Sequence, residues 1–294
     1  MRLIITADWH IRATRPRCRK DEYWIETQKK ALSQVACIAQ QKESTVMVVG
    51  DIFHSNSDTS FECIQMVQKF SEEVGGMYIL AGNHDLPYHS SENLDKSAIG
   101  VLLNCEKVLK IKDYFDKLDC DNSIYSAGNF DDTDNCNAQI VFKHVLTIPS
   151  KDKSDFIESE TPESLLEKFP NAKWIFTGDY HKNFYYVKNG RHVVNSGCLI
   201  RQVADMRDYQ CGVYYVDTDN DIVEFVPVID NEELVDDSYI MKENERDDRI
   251  SNFVNKLKDT KNISLDFVSN VEESIKKNNL DEDVVSVINE LMEV

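Results

Sequence analysis

The first part of the chain alternates short apolar segments with longer amphipathic ones. The short segments are five or six residues long and predict buried strands, at residues 2–7, 45–49 and 77–81. The longer segments repeat apolar residues at helical spacing and predict helices, at residues 21–41 and 59–74. The order strand, helix, strand, helix, strand is typical of an α/β sheet, whose functional site lies beyond the carboxyl ends of its strands.

The middle of the chain carries a weaker pattern of the same kind. It predicts helices at residues 94–103 and 161–169, strands at 123–127, 139–148 and 173–177, and hairpins around Asn189-Gly190 and Asp219-Asn220. Residues 129–137 and 150–160 are polar and charged, which predicts solvated loops.

The character of the sequence changes after residue 230. Residues 232–248 are strongly acidic, and amphipathic patterns follow at 250–257 and 268–292, with a break near Asn279. These patterns predict a domain of residues 1–230 and a mostly helical C-terminal region of residues 231–294. The alternatives for this region are a reduced cap over the site, a dock for a partner, and helices packed on the catalytic domain.

Composition limits the class of protein. No apolar stretch reaches the roughly 18 residues that a membrane crossing needs, and no signal-peptide pattern opens the chain. The eight cysteines are scattered and form no CxxC motif, which suits a reducing compartment. We therefore expect a soluble protein of the cytoplasm, either of a bacterium or of an infected host cell, without a membrane partner.

The formal net charge of −19 would by itself argue against nucleic acid as a partner. The charge is unevenly distributed, because Asp217–Val294 contains 22 acidic and 8 basic residues. The rest of the chain, with 30 acidic and 25 basic residues, is much closer to neutral. The acidity is therefore a property mainly of the C-terminal part.

Oxygen and imidazole donors follow the predicted strands at five places. They are Asp8 and His10, Asp51, Asn83 and His84, His144, and Asp179 and His181. Carboxylate, amide and imidazole donors together suit divalent Mn, Fe or Zn better than Ca or Mg. One carboxylate bridging two ions about 4 Å apart would form a clamp for displacement at phosphorus.

A basic segment emerges directly from the first of these places. It comprises Arg12, Arg15, Arg17, Arg19 and Lys20, and Lys182 and Arg201 lie on other loops near the predicted site. Contact with a phosphate backbone and a plain solvated loop are both compatible with this segment. Its position beside a predicted metal site favours a polyanionic substrate.

The order of these motifs resembles that of the calcineurin-like metallophosphoesterases. The residues that carry the resemblance are Asp8-Trp9-His10, Gly50-Asp51-Ile52-Phe53-His54, Gly82-Asn83-His84-Asp85, His144 and Gly178-Asp179-Tyr180-His181. Asn195-Ser196-Gly197, followed by Leu199-Ile200-Arg201, makes the chain most similar to the SbcD-type nuclease subunit of bacterial and phage recombination complexes. The resemblance covers roughly residues 1–230 and implies a four-layer α-β-β-α sandwich with a small C-terminal helical appendage.

The resemblance also implies a role for each matched residue. Asp8, His10 and His181 would hold one divalent ion, while Asn83, His144 and Asp179 would hold a second, with Asp51 bridging the two. His84 would stabilise the transition state or protonate the leaving oxygen, with Asp85 orienting it, and His54 would lie near the DNA backbone. The expected cofactors are two Mn²⁺ ions, with Fe or Zn as alternatives.

One residue departs from the family pattern. The usual G-H-x-H appears as Gly178-Asp179-Tyr180-His181, so a carboxylate replaces an imidazole. Because a carboxylate is also a metal ligand, we expect a working variant of the site rather than a defective one.

The function that the resemblance implies is a DNA exonuclease and endonuclease, the nuclease subunit of an SbcCD-like repair complex. The partners that the resemblance implies are DNA, an SbcC-like ATPase subunit and a second copy of the chain. Two alternatives stay open. One is a phosphodiesterase or phosphatase for nucleotides or other small esters, and the other is a weakly active scaffold that binds DNA or partners.

Overall fold

The structure is a computed structural model that describes most of the chain. The described residues are 1–56, 59–117, 125–128, 137–150, 158–236, 238, 267–278 and 280–292. They form two compact units, Met1–Val235 and Asp236–Val294. The first unit extends past the predicted boundary near residue 230 because Val235 forms a bridge with Arg19, and the N–H of Lys20 donates to the carbonyl of Leu234 at 2.8 Å.

The larger sheet has six strands and contains both ends of the first unit. The strands are β1 (Arg2–Thr6), β2 (Thr45–Val49), β3 (Met77–Leu80), β4 (Val108–Lys110), β10 (Gly212–Asp217) and β11 (Ile222–Pro227). They lie in the order β11-β10-β1-β2-β3-β4. Strands β1 to β4 are parallel, whereas β10 is antiparallel to β1 and to β11. The carboxyl ends of β1, β2 and β3 therefore meet at one edge.

The second sheet has five strands. They are β5 (Tyr125–Gly128), β6 (Ile140–His144), β7 (Trp174–Gly178), β8 (Phe184–Lys188) and β9 (Arg191–Asn195), in the order β5-β6-β7-β9-β8. All are parallel except β8, which pairs with β9 as a hairpin. Asn189 and Gly190 turn this hairpin with φ of 53° and 70°, as the Asn-Gly pair predicts.

Among the described residues, five α-helices with complete bounds belong to the first unit and two to the second. They are α1 (Trp24–Gln41), α2 (Phe61–Glu73), α3 (Ala98–Leu102), α4 (Ile111–Lys117), α5 (Pro162–Lys168), α6 (Phe267–Asn278) and α7 (Glu282–Met292). In the second unit, Val271 on α6 packs in one cluster with Val284 and Ile288 on α7. None of the helices in the described part of the chain has the length and apolar content that a membrane crossing requires.

Alternation along the strands separates the first unit into layers. In β1, Ile4 packs into the cluster shared with α1 and α2, while Leu3 and Ile5 pack into the cluster between the two sheets. Phe142 of β6 and Phe176 of β7 supply the other side of that central cluster. A third cluster packs α5 on the outer face of the second sheet. The arrangement of helix, sheet, sheet and helix confirms the predicted α/β sandwich.

Two segments differ from the sequence prediction. The helix expected at residues 94–103 is divided into a 3₁₀ segment at Ser91–Lys96 and the short α3, because the Ser97 hydroxyl accepts the N–H of Gly100 and starts a new helix. Strand β4 and helix α4 have patterns too short to be detected in advance. The helix predicted at residues 250–257 lies outside the described residues, as do most of the loops predicted at 129–137 and 150–160.

Candidate active site

The strand pairing of β1 and β2 continues beyond the strands and carries the first candidate ligands into the site. The N–H groups of Asp8, His10 and Ile11 donate to the carbonyls of Gly50, Asp51 and Ile52, at 3.1, 3.0 and 2.8 Å. Because each loop residue is hydrogen-bonded in register with its neighbour, the two loops are one rigid extension of the sheet. The candidate ligands therefore lie on a sheet edge, not on independent loops.

One group of donors consists of Asp8, His10 and His181. One ligand atom of each lies within 4.8 Å of the others. The Nε2 atoms of His10 and His181 face each other at 3.0 Å, and both carboxylate oxygens of Asp8 accept the N–H of Asp179 at 3.1 Å. Asp8 and His10 are almost fully buried. The structure thus brings together the three residues expected to hold the first ion.

A second group lies around the imidazole of His144. Its Nε2 is 3.0 Å from Oδ1 of Asn83, 3.4 Å from Oδ1 of Asp51 and 3.9 Å from Oδ1 of Asp179. Its Nδ1 lies 2.9 Å from the carbonyl of Val49, which can only accept, so Nδ1 carries the proton of this bond. That bond orients Nε2 towards the oxygens, as the outer hydrogen bond of a metal-binding histidine does.

Asp51 lies between the two groups. Its Oδ2 is 3.7 Å from Nε2 of His10, whereas its Oδ1 is 3.4 Å from Nε2 of His144. Oδ1 also accepts the N–H of His84 at 3.0 Å. One carboxylate with an oxygen facing each group is the geometry that a bridging ligand requires.

Four of the candidate ligands have left-handed backbone conformations. The φ angles are 50° for Asp8, 46° for His10, 52° for Asp51 and 84° for Asp179. Asp and His tolerate this region better than most residues, yet each such conformation still carries strain. Strained residues concentrated where the ends of three strands meet are characteristic of functional sites.

Two glycines allow the strand ends to approach this closely. A Cβ on Gly50, whose φ is 92°, would overlap the ring of His144. A Cβ on Gly82 would overlap Oδ1 of Asp51 and approach Nε2 of His144 to 2.7 Å. The glycines of the G-D and G-N-H-D motifs are therefore required by the packing of the candidate ligands.

Burial dominates the electrostatics of the site. It raises the pKa of Asp8 well above its usual value, and His144 opposes this effect while Asp51 adds to it. It lowers the pKa values of His10 and His181, so both imidazoles are held in the neutral form. Burial also lowers the pKa of His144, but Asp51 outweighs that effect and raises it to about 10. The neutral imidazoles of His10 and His181 do not balance the buried carboxylates, and His144 is shared among Asp51, Asp8 and Asp179, so the site needs added positive charge.

Two divalent cations would supply that charge. The donor set is of the mixed oxygen and imidazole type that binds Mn, Fe or Zn. Nε2 of His10 lies among the donors, while its Nδ1 is buried without a hydrogen-bond partner among the described residues, so no outer hydrogen bond orients this ring as one orients His144. The residues present therefore fit a pair of cations, with Asp8, His10 and His181 on one side and Asn83, His144 and Asp179 on the other.

The structure differs from the prediction in the group that orients His84. His84 and His54 stack with ring centroids 5.7 Å apart, and Nδ1 of His84 donates to the carbonyl of His54 at 2.7 Å. Asp85 was expected to orient His84, but its carboxylate instead accepts the N–H groups of Ile52, Phe53 and Gly82 at 3.2, 2.9 and 3.0 Å. The backbone of His54 orients His84, and Asp85 joins the loops that follow β2 and β3.

The structure contradicts the expected DNA contact for two of the basic residues. The side chain of Arg19 is fully buried between the carboxylates of Asp21 and Asp230, with nitrogen–oxygen distances of 2.6 and 2.8 Å. Arg201 is also buried, with its guanidinium donating to the carbonyls of Met206 and Asp230. Both arginines are therefore internal ion-pair partners and cannot reach a polyanion at the surface.

The other basic residues remain accessible to different degrees. Arg15, Arg17 and Lys20 are exposed, and Lys182 is half-buried on the loop that follows His181. Arg15 donates to the carbonyl of Asp21 at 2.6 Å, so one nitrogen of its guanidinium is hydrogen-bonded within the protein.

Arg12 has the most distinctive position among the basic residues. Its backbone is fixed by Gln28 of α1, which accepts its N–H at 3.0 Å and donates to its carbonyl at 2.9 Å. Its side chain lines a cleft of about 440 Å³ together with His54 and several hydroxyl residues, which are Thr14, Ser55, Thr59 and Ser60. Within the described residues, its buried Nε has no hydrogen-bond partner. An anion in the cleft would pair with its guanidinium, the one permanently charged group among the lining residues.

Two side-chain amides support the site but were not among the predicted site residues. The side chain of Asn195 donates to the carbonyls of Tyr180 and Lys182, at 2.7 and 3.0 Å, and so fixes the loop that carries His181. Gln202 donates to the carbonyl of Trp9 at 2.8 Å. The Asn195-x-Gly197 motif was a detectable signal for the first, whereas nothing near Gln202 marks the second in the sequence.

Comparisons with solved structures find weak overall similarity. An archaeal phosphodiesterase is 11% identical, with 77% of this chain and 99% of that chain covered and a TM-score of 0.38. A candidate 5′-nucleotidase from Staphylococcus aureus is 15% identical, with 78% and 54% covered and a TM-score of 0.48, so this chain matches about half of its length. A hypothetical protein from Pyrococcus horikoshii OT3 is 12% identical, with 97% and 96% covered and a TM-score of 0.43.

The sequence comparisons are more decisive. No curated protein matches the chain. The profile of calcineurin-like phosphoesterases matches residues 1–183, the segment that contains every candidate metal ligand. The chain therefore belongs to the calcineurin-like phosphoesterase family.

Proposed function

We propose that this phosphoesterase is a two-metal-dependent DNA nuclease that hydrolyses phosphodiester bonds as the nuclease subunit of an SbcCD-like repair or recombination complex. Metal-dependent hydrolysis of phosphoesters follows from the family and from the clustered donors. The observation that carries the finer assignment is Arg12, a partly buried arginine that lines a cleft together with His54. A substrate that reaches both the metals and this cleft would carry a second anionic group besides the phosphate at the metals.

The residues of the site have distinct tasks in this proposal. Two Mn²⁺ ions would lower the pKa of the attacking water and neutralise the charge that develops on the phosphoryl group. His84 carries a proton on Nδ1, which donates to the carbonyl of His54, so Nε2 is the atom that exchanges a proton with the leaving oxygen. Burial lowers the pKa of His54 to about 4, and Arg12 adds to this effect, so His54 is a neutral hydrogen-bonding group beside the backbone.

The contribution of Arg12 is tested by substitution. Arg12→Ala is expected to weaken DNA binding and to reduce the salt dependence of binding by about one ion, because one phosphate contact is lost. Hydrolysis of bis-p-nitrophenyl phosphate, which has no second phosphate, should be retained. Lys112→Ala, which removes an exposed cation from α4, is the matched control and should change neither. An unchanged salt dependence in Arg12→Ala would contradict the proposal.

His84 is tested in the same assays. His84→Ala is expected to reduce kcat by about 10²- to 10⁴-fold, the usual contribution of a general acid, while two Mn²⁺ ions per chain still bind. Metal content measured on the same preparation separates loss of the acid from loss of the site. Activity that survives this substitution would show that another group protonates the leaving oxygen.

A small phosphodiester or nucleotide is the second candidate substrate. The burial of Arg19 and Arg201 favours it, because it reduces the basic surface available to DNA. The candidates are distinguished by the rates at which the protein hydrolyses four substrates, which are single-stranded DNA, duplex DNA, bis-p-nitrophenyl phosphate and p-nitrophenyl phosphate. Hydrolysis of the small esters with DNA intact, in the presence of Mn²⁺ and an SbcC-like ATPase, would favour the second.

A further inference from the structure

A compact turn directly follows the candidate acid. Its centre is Leu86, a fully buried residue whose carbonyl accepts the N–H of His89 at 3.1 Å and the side-chain amide of Asn56 at 3.2 Å. The ring of His89 returns towards the site, with Nδ1 3.1 Å from the carbonyl of Asn83. These contacts attach the turn to the backbone of a candidate metal ligand, so the turn is held at the rim of the site.

The apex of this turn is an aromatic residue in an unusual conformation. Tyr88 has φ 56° and ψ 22°, and His89, which follows it, has φ 54°. Two consecutive left-handed residues without a glycine are rare, and Asn or Gly is the usual choice where a turn needs this conformation. Tyr88 is nevertheless 91% exposed. The turn therefore presents a large, exposed aromatic residue on a strained backbone that is held beside the site.

Packing within the fold does not account for this arrangement. An exposed aromatic residue gains little from burial, and a strained backbone persists only where the surrounding structure fixes it. Another exposed ring, that of Phe61, lies at the first position of α2, where no unusual backbone conformation is needed. A ligand that contacts the ring of Tyr88 would give the strained conformation a function.

We propose that Tyr88 is a base-stacking residue, whose ring packs on the face of a nucleobase adjacent to the scissile phosphodiester. This inference rests on the proposed nuclease function and adds a specificity determinant to it. Stacking suits a nuclease without strong sequence preference, because every nucleobase offers a π-face to an aromatic side chain. The metals and Arg12 would hold phosphates, whereas Tyr88 would distinguish a nucleic acid from a phosphodiester that carries no base.

The test compares substitutions that retain or remove the ring. Tyr88→Ala and Tyr88→Leu are expected to raise KM for a single-stranded oligonucleotide by roughly tenfold, the effect typical of one lost stacking contact. Tyr88→Phe keeps the ring and should behave as wild type. None of the three should change the number of Mn²⁺ ions bound, and Tyr88→Leu controls for the bulk of the side chain.

The substrate supplies a second comparison. On an oligonucleotide whose nucleotides around the scissile bond are abasic, wild type and Tyr88→Ala should have equal KM values. A 2-aminopurine base at the same position should lose fluorescence on binding to the inactive His84→Ala variant, and it should not lose fluorescence on binding to His84→Ala/Tyr88→Ala. Damage to the turn alone would raise KM equally on normal and abasic DNA.

The outcomes separate this inference from the proposed function. Oligonucleotide cleavage with the same KM in wild type and Tyr88→Ala overturns the role of Tyr88 and leaves the nuclease assignment intact. A KM effect that persists on abasic DNA also overturns it. A wild-type chain that hydrolyses bis-p-nitrophenyl phosphate and no oligonucleotide overturns both proposals.

Discussion

Asp179 shows how one residue can change the chemistry of an otherwise complete site. Its N–H donates to both oxygens of Asp8, and its side chain faces Nε2 of His144 at 3.9 Å. The side chain is 28% exposed, so Asp179 forms the accessible side of the second metal group. Burial raises the pKa of its carboxyl, and a bound cation would reverse this by favouring the ionised form. A carboxylate at position 179 adds a negative charge, whereas the imidazole of the family pattern would not.

The charge of Asp179 is expected to strengthen the second metal site. Asp179→Asn keeps the backbone N–H and the shape but removes the charge, so we expect the second Mn²⁺ to bind at least about tenfold more weakly while the first is retained. Titration calorimetry with Mn²⁺ measures both steps. Asp205→Asn, which changes an exposed aspartate, is the control. If Asp179→Asn binds both ions with wild-type affinity, Asp179 is not a ligand, and the family pattern is broken in this chain.

At the scale of elements, the loops after β2 and β3 depend on a single carboxylate. Asp85 is 1% exposed and accepts three backbone N–H groups, two from the Asp51 loop and one from its own. Burial, with Asp51 adding to it, raises the pKa of Asp85 to about 7, although the three N–H groups oppose this. The residue therefore positions the bridging carboxylate relative to Asn83.

Substitution of Asp85 distinguishes this role from the orientation of His84. Asp85→Ala leaves three buried N–H groups without an acceptor, so we expect the free energy of unfolding to fall by about 2–4 kcal/mol and Mn²⁺ affinity to fall with it. Urea denaturation and Mn²⁺ titration measure the two effects. If Asp85 acted through His84 instead, kcat would fall while stability and metal binding stayed at wild-type values.

A second connection between elements is the ion-pair network of Arg19. Its guanidinium donates to Asp21 at 2.6 and 2.9 Å and to Asp230 at 2.8 Å, which ties the segment before α1 to the segment after β11. Burial alone would raise the pKa of Asp21, but the hydrogen bonds of Arg19 and Thr27 outweigh it and lower the pKa. A carboxyl with a lowered pKa stabilises the fold above its unfolded pKa, and this stabilisation is lost as the pH falls through the folded value.

The network predicts a pH-dependent stability difference. Asp21→Asn is expected to lower the free energy of unfolding by about 2 kcal/mol at pH 7, because it removes a charge-assisted hydrogen bond. The difference from wild type should begin to shrink below about pH 4, where Asp21 becomes protonated in the unfolded state, and it should disappear as the pH falls through the lower folded pKa. Urea denaturation from pH 7 to pH 3 measures it. Glu22→Gln, at an exposed neighbour, should show neither effect, and a difference independent of pH would exclude the ion pair as its cause.

The elements themselves were largely predictable, because alternation and helical spacing are local properties. Strands β1, β2 and β7 and helices α1 and α2 follow directly from their patterns, and all five strand-end motifs, from both sheets, meet in one site. What could not be predicted is the partner of each polar group. The ion pairs that bury Arg19 and the backbone contacts of Asp85 involve residues distant in sequence, and a charged residue in a loop looks the same whether it is buried or exposed. Cys198 and Cys211, scattered in the sequence, likewise meet with their sulfurs 3.5 Å apart.

At the scale of the whole molecule, the two compact units differ in what they contain. Every candidate ligand belongs to the unit Met1–Val235. The unit Asp236–Val294 contains 15 acidic and 8 basic residues, and the helices α6 and α7 form a small apolar cluster of their own. An acidic surface repels a DNA backbone, so a cap that grips DNA is the weaker of the open alternatives for this region. A dock for an SbcC-like ATPase requires no affinity for DNA.

Removal of the second unit separates these alternatives. A chain that ends at Val235 retains the complete site, so we expect Mn²⁺ binding and hydrolysis of bis-p-nitrophenyl phosphate to stay within about twofold of wild type. If the acidic unit is a dock, DNA cleavage without a partner should be unchanged, whereas stimulation by the ATPase should be lost. If it is a cap, KM for DNA should change even without the ATPase. Because the removed segment carries excess negative charge, tighter binding of DNA at low salt would point to repulsion by this unit rather than to a grip on the substrate.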